Sequence, residues 1–307
     1  MSRIHEALKK AAQERNAQMV GQRGPDLVDL EAEASPRLTV APGAEPVEIV
    51  QETRSAAIPK CATQFDKFVK QCALGNWKTD SRSSIFFRER DNFIVAEKFR
   101  TLRSRLYQIA AVQHLRSIVI SSSVPAEGKT FVAASLAVSF VRQQDKRVLL
   151  IDGDLRASRL HLQLGAPEKP GLSDYLCGKA SETEVVQVGP GGNLCFVPGG
   201  SDITNPSELL HSERMKTFLS RMSEIFDWVI VDSPPAIAVH DASILADMCD
   251  GVLFVVRAGA TDFAVAQKAS SEFREKSLLG VVLNRVDRSE TYGSYYYGYA
   301  GEKEPID

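Results

Sequence analysis

Long apolar runs are missing from this chain. No stretch of the 307 residues approaches the ~18 consecutive apolar residues that a membrane-spanning helix needs. Its start, Met1-Ser2-Arg3-Ile4-His5-Glu6, lacks the apolar core of a secretory signal. These two absences predict a cytoplasmic protein. Cysteine is sparse and unpatterned: Cys61, Cys72, Cys177, Cys195 and Cys249 are odd in number and include no C-x-x-C pair. That count favours buried or incidental thiols in a reducing compartment over a disulfide framework or a zinc site. A formal net charge of −2 gives no electrostatic case for binding nucleic acid. Apolar residues at 44% and charged residues at 25% suit a soluble globular protein with a core of good size.

Proline is unevenly placed. Pro25, Pro36, Pro42, Pro46 and Pro59 interrupt residues 20–84, with Glu, Gln, Ala and Ser between them. That stretch reads as a linker, disorder being the expectation its length and composition carry. Residues 1–19 have helical spacing, with Ile4, Leu8 and Ala11 on one side. They form either a docking helix that orders on a partner or a frayed terminus. A domain of residues 85–287 and a tail of 288–307 follow.

The domain is organised around Ser121 to Thr130. An apolar strand, Ser117 to Ile120, runs into Ser123-Val124-Pro125-Ala126-Glu127-Gly128-Lys129-Thr130, and an apolar helix follows from Phe131 to Val141. A strand, a small-residue loop and Gly-Lys-Thr opening a helix is the layout of a phosphate-binding loop. The first helical N–H groups point at the anion, Lys129 reaches the outer phosphates, and the Thr130 hydroxyl suits Mg²⁺. The loop departs from the usual pattern in having Ser123 where its first Gly would stand.

Further strands are expected at 147–151, 193–197, 228–232, 251–256 and 280–283, with helices at 91–111, 206–226 and 262–276 between and around them. Strands alternating with helices predict an α/β fold: a P-loop NTPase-like parallel sheet with helices on both faces. Ligands sit beyond the carboxyl ends of such strands. Asp152, Asp154 and Asp232 stand at those ends. Three carboxylates near a triphosphate call for a cation between them, which points to Mg²⁺. Asp152 or Asp154 is placed to accept a hydroxyl proton. On the 91–111 helix, Glu97, Arg100 and Arg103 share one broad face, which spacing alone reads as solvated charge.

The tail packs five of the chain's seven tyrosines into eight residues: Tyr292, Tyr295, Tyr296, Tyr297 and Tyr299. Glycines punctuate it, so it reads as a mobile, phosphorylatable tail. Full phosphorylation would add roughly −8 to −10 of charge there, far beyond the charge of the whole chain.

Together these segments resemble the bacterial protein-tyrosine autokinases of exopolysaccharide and capsule biosynthesis, in their separate cytoplasmic form. The resemblance covers about residues 90–300. It rests on the phosphate loop, on Leu149-Leu150-Ile151-Asp152-Gly153-Asp154-Leu155-Arg156, and on Val229-Ile230-Val231-Asp232-Ser233-Pro234-Pro235. Asn205-Pro206-Ser207-Glu208-Leu209-Leu210, Val281-Val282-Leu283-Asn284-Arg285 and the tyrosine cluster add to it. It implies ATP as substrate, held at Gly128, Lys129, Thr130, Phe131, Asn284 and Arg285. It implies Mg²⁺ at Thr130, Asp154 and Asp232, and catalysis by Asp152, Asp154 and Lys129. Glu97, Arg100 and Arg103 then match a motif that joins subunits into a ring, an octamer by resemblance. A membrane-embedded chain-length regulator as activator, a cognate tyrosine phosphatase and a peripheral place at the inner membrane are implied as well. The alternatives are a partitioning-type ATPase switch or a nucleotide-binding scaffold without kinase activity. The switch proteins usually carry a second lysine where this chain has Val124.

Overall fold

The computed structural model describes residues 60–78, 93–143, 145–273 and 277–286. Residues 1–19, most of the expected linker and the tyrosine tail lie outside the described residues. The described elements run in the order α1 (Lys60–Val69), β1 (Ala73–Leu74), α2 (Phe93–Ala110), β2 (Ser117–Ser122), α3 (Lys129–Val141) and β3 (Val148–Asp152). Then come three short helices, α4 (Leu160–Leu164), α5 (Leu172–Leu176) and α6 (Glu182–Val185), and the strands β4 (Gln187–Val188) and β5 (Leu194–Val197). Next are α7 (Pro206–Leu210), α8 (Glu213–Ile225), β6 (Trp228–Asp232), α9 (Asp241–Met248), β7 (Gly251–Arg257), α10 (Phe263–Ser271) and β8 (Leu278–Asn284).

One eight-stranded sheet carries the fold, in the order β1-β4-β5-β3-β6-β2-β7-β8. Every pairing is parallel except the short β4–β5 contact. The expected α/β architecture is therefore what forms, with six strands close to their expected places and two short ones added. Strands β2, β3 and β6 are buried along their whole length. Both their faces are covered, which explains why they read as unbroken apolar runs. Along β3, Leu149 and Ile151 face one core with α8, while Val148 and Leu150 face the other with α3. A third cluster packs Val252, Phe254 and Val256 of β7 against α9 and α10.

Helix α3 has no solvent stripe: Val132 through Phe140 are all buried. It is sandwiched between the sheet and α2, so its apolar residues go all the way round. Tyr107 of α2 meets the rings of Phe140 and Trp228 edge-on at 5.5 and 5.6 Å. Arg103 of α2 donates to the Ser139 carbonyl near the end of α3. A cation there complements both the unpaired carbonyls and the helix dipole.

The expected linker needs correcting over its last part. Residues 60–78 form α1 and β1 and pack on the domain. Phe65, Phe68, Cys72 and Trp77 are buried. Phe65 lies edge-on to Phe226 at 5.4 Å, and β1 pairs with β4. The expected helix at 206–226 is two helices, because Ser212 caps α8 by accepting from the Met215 N–H.

Candidate active site

The phosphate loop leaves β2 at Ser122 and enters α3 at Lys129. Gly128 sits at the junction with φ of 96°, a left-handed conformation that glycine adopts at little cost. A Cβ there would lie 2.1 Å from Asn284 Nδ2, so no side chain fits. Asn284, at the end of β8, donates from Nδ2 to the Glu127 carbonyl at 2.8 Å. Its Oδ1 accepts from the N–H of Arg285, which has φ of 57°. Ala126 is also left-handed, with φ of 66°.

The carboxylates arrive from the neighbouring strands. β3 and β6 end in register, Asp152 beside Asp232. Gly153 lets them close: its N–H donates to the Asp232 carbonyl at 2.8 Å, and a Cβ there would collide with that same backbone. Lys129 Nζ lies 2.9 Å from Asp154 Oδ2 and 3.7 Å from Asp232 Oδ2. Asp152 accepts from the Ser158 hydroxyl at 2.7 Å, from the Leu160 N–H at 3.0 Å and from the Asp154 N–H at 3.2 Å. Lys129 Nζ also donates to the Thr130 hydroxyl at 3.4 Å. The motif residues Lys129, Thr130, Asp152, Asp154 and Asp232, which are dispersed over about a hundred positions, thus form one buried cluster.

Three carboxylates share one ammonium here, and the electrostatics show it. Burial pushes the Asp232 carboxyl up to about 7, Lys129 opposing that rise and Asp152 adding to it. Asp152 is likewise raised, chiefly by burial, with Ser158 and Leu160 working against it. Burial would lower Lys129, but Asp232 and Asp154 more than offset it and hold the ammonium above its ordinary value. Fully ionised, the three carboxylates and one ammonium carry a net charge of −2, which a divalent ion would balance. Asp232 Oδ1 is buried with no hydrogen-bond partner among the described residues. A hard cation's oxygen ligand fits that description, so Thr130 and Asp232 suit Mg²⁺.

Other expected site residues lie elsewhere. Phe131 packs its ring against Phe99 of α2 at 6.0 Å. Glu97 pairs with Arg100 on the exposed side of α2, and Arg103 turns inward to Ser139. Two carboxylates were not anticipated. Asp241, fully buried at the start of α9, holds Arg156 Nε at 2.7 Å. Arg156 also reaches Ser207 at 2.8 Å, which ties the Asn205–Leu210 motif to the loop that follows β3 and carries Asp154. Glu127, 1% exposed, lies within the phosphate loop itself. An acid so close to a phosphate site is the one sequence signal that could have marked it.

Known proteins share this arrangement. Residues 118–306 match the CobQ/CobB/MinD/ParA nucleotide binding domain. Tyrosine-protein kinase YwqD of Bacillus subtilis is 36% identical over 207 residues, covering 66% of this chain and 86% of YwqD. The chain belongs to the bacterial tyrosine-protein kinases. Tyrosine-protein kinase wzc of Salmonella typhimurium is 35% identical over 69% of this chain, which spans 30% of Wzc. The solved kinase domain of Escherichia coli tyrosine kinase ETK superposes with a TM-score of 0.59 at 31% identity, covering 64% of this chain and 80% of that one. Like those relatives, this kinase carries a nucleotide-binding domain. Among its described residues, no helix is long and apolar enough to cross a membrane.

Proposed function

We propose that this kinase transfers the γ-phosphoryl group of ATP to its own tail. The acceptors are Tyr292, Tyr295, Tyr296, Tyr297 and Tyr299, with the tail of one subunit entering the site of its neighbour in a ring. The observation that carries this reading is the cluster of Asp152, Asp154 and Asp232 around Lys129 at the mouth of the phosphate loop. In such a set Lys129 reaches the phosphates, the carboxylates would hold the divalent cation that neutralises them, and one carboxylate takes up a proton beside it.

The phenol oxygen attacks the γ-phosphorus, and the bond to the β–γ bridging oxygen breaks, its electron pair leaving with ADP. The phenol proton passes to the Asp152–Asp154 pair. Burial raises the Asp152 carboxyl above its ordinary range, and Asp154 lies against Lys129 at 2.9 Å. Lys129 exchanges carboxylate oxygens for phosphate oxygens and stabilises the transferring group. Thr130 and Asp232, with Asp154 nearby, would hold Mg²⁺, which would supply charge neutralisation to the transferring group. Asn284 and Arg285, at the end of β8, flank the nucleotide from the other side.

Phosphorylation makes the tail strongly anionic, so it leaves a site lined by carboxylates. That supports a switch between assembled and dissociated rings, governing synthesis or export of an exopolysaccharide or capsule. A membrane-embedded chain-length regulator would activate it and hold it at the inner membrane, and a tyrosine phosphatase would reset it.

Transfer between subunits is tested by mixing. A Lys129→Met chain keeps its tail but has no activity. A chain with the five tail tyrosines changed to Phe keeps its activity but has no tail acceptor. Phosphotyrosine on the Lys129→Met tail is expected in the mixture and in neither chain alone. An unlabelled mixture beside a self-phosphorylating parent chain would show transfer within one subunit.

A further inference from the structure

Glu127 stands in the phosphate loop, where a carboxylate would repel the ligand if it faced the anion. It faces away. Its side chain is buried and reaches three donors. Oε2 accepts from the Val124 N–H at 2.8 Å, inside the loop. Oε1 accepts from the Arg257 N–H at 3.3 Å, at the end of β7, and from the Thr261 hydroxyl just beyond it. The Glu127 carbonyl accepts from Asn284 Nδ2 at 2.8 Å, at the end of β8. The ends of β7 and β8 are themselves joined, with the Ala258 N–H donating to the Asn284 carbonyl at 2.9 Å. One residue therefore ties the phosphate loop to two strand ends more than a hundred residues away in sequence.

The sheet order gives this tie a meaning. β6 and β3 lie on one side of β2 and bring the carboxylates. β7 and β8 lie on the other side. In the nucleotide site proposed above, with Asn284 and Arg285 flanking the ligand, a nucleotide whose terminal phosphate is directed at the carboxylates would lay its base over the β7 and β8 ends. We infer that Glu127 is a positioning residue that locks the phosphate loop to the base-binding strand ends, so that base and phosphates are held as one register. This rests on the nucleotide site proposed above.

The distinguishing prediction is a split between a nucleotide and a base-free polyphosphate. ADP and inorganic tripolyphosphate are titrated calorimetrically, with Mg²⁺, into the full chain and its variants. Glu127→Gln keeps the size but turns an NH₂ group toward the backbone N–H donors. Glu127→Gln should weaken ADP about tenfold while tripolyphosphate changes less than about twofold, the scale of losing a hydrogen bond to a charged group. Thr261→Val, which removes the hydroxyl from the far end of the tie, should move ADP the same way, and Thr261→Ser should bind as the parent does. Should Glu127→Gln fail to fold, the Thr261 pair decides alone. Equal losses for both ligands would reduce Glu127 to shaping the loop, and unchanged ADP affinity in both variants would remove the tie; either overturns the inference. Binding is read without phosphoryl transfer, so a chain that never phosphorylates tyrosine still answers the question.

Discussion

Asp232 sets the pH behaviour of the nucleotide-free site. Its carboxyl is pushed up to about 7 by burial, against an ordinary value near 4 in the unfolded chain. Between those values the native chain holds a proton that the unfolded chain releases. Its contribution to native stability is therefore fully present below the lower value, falls as pH rises through the interval, and is lost above about 7. Asp152, also raised, acts in the same direction. Urea denaturation from pH 4.5 to 8, without nucleotide or metal, should show that decline, and Asp232→Asn should flatten it. A parent chain whose stability rises with pH across this interval would contradict the burial argument. At this scale the sequence was partly legible. Lys129, Thr130, Asp152, Asp154 and Asp232 each sit directly in a motif or at a strand end, so pattern alone brought them together. Glu127 and Asp241 did not show, because their partners Thr261 and Arg156 meet them only through the sheet order.

Helix α1 is where composition misled. Averaged over residues 20–84, prolines and polar residues dominate. Locally, Phe65, Phe68 and Cys72 recur at helical spacing and are buried against Phe226 and its neighbours. A short amphipathic stripe is diluted by any window much longer than itself. Arg147 adds a cation over the Phe65 ring at 4.8 Å. Phe65→Ala should cost about 3–5 kcal/mol in chemical denaturation, as for other buried aromatics. A loss below about 1 kcal/mol would return this segment to the role of a linker. The strands were legible because both-faces-buried segments leave no other pattern, while the short helices α4 to α6 are too brief to show a period.

At the scale of the whole molecule, the exposed side of α2 is the surface proposed to build the ring. Glu97 and Arg100 point outward there, whereas Arg103 spends its guanidinium on Ser139. The two arginines should thus separate. Arg100→Ala is expected to give smaller particles on a sizing column with an unchanged melting temperature. Arg103→Ala should in addition lose about 1 kcal/mol of stability, the worth of its hydrogen bond. Unchanged particle size in both would remove α2 from the ring. The measurement that bears most directly on the central claim is the intact mass of the purified chain after incubation with ATP and Mg²⁺, with mapping of the tail peptide. It should be run beside Lys129→Met and repeated with the activator's cytoplasmic segment. Added phosphates on residues 292–299, absent from Lys129→Met, are the expected result. An unchanged mass with the activator present, or equal phosphorylation of Lys129→Met, would contradict the account.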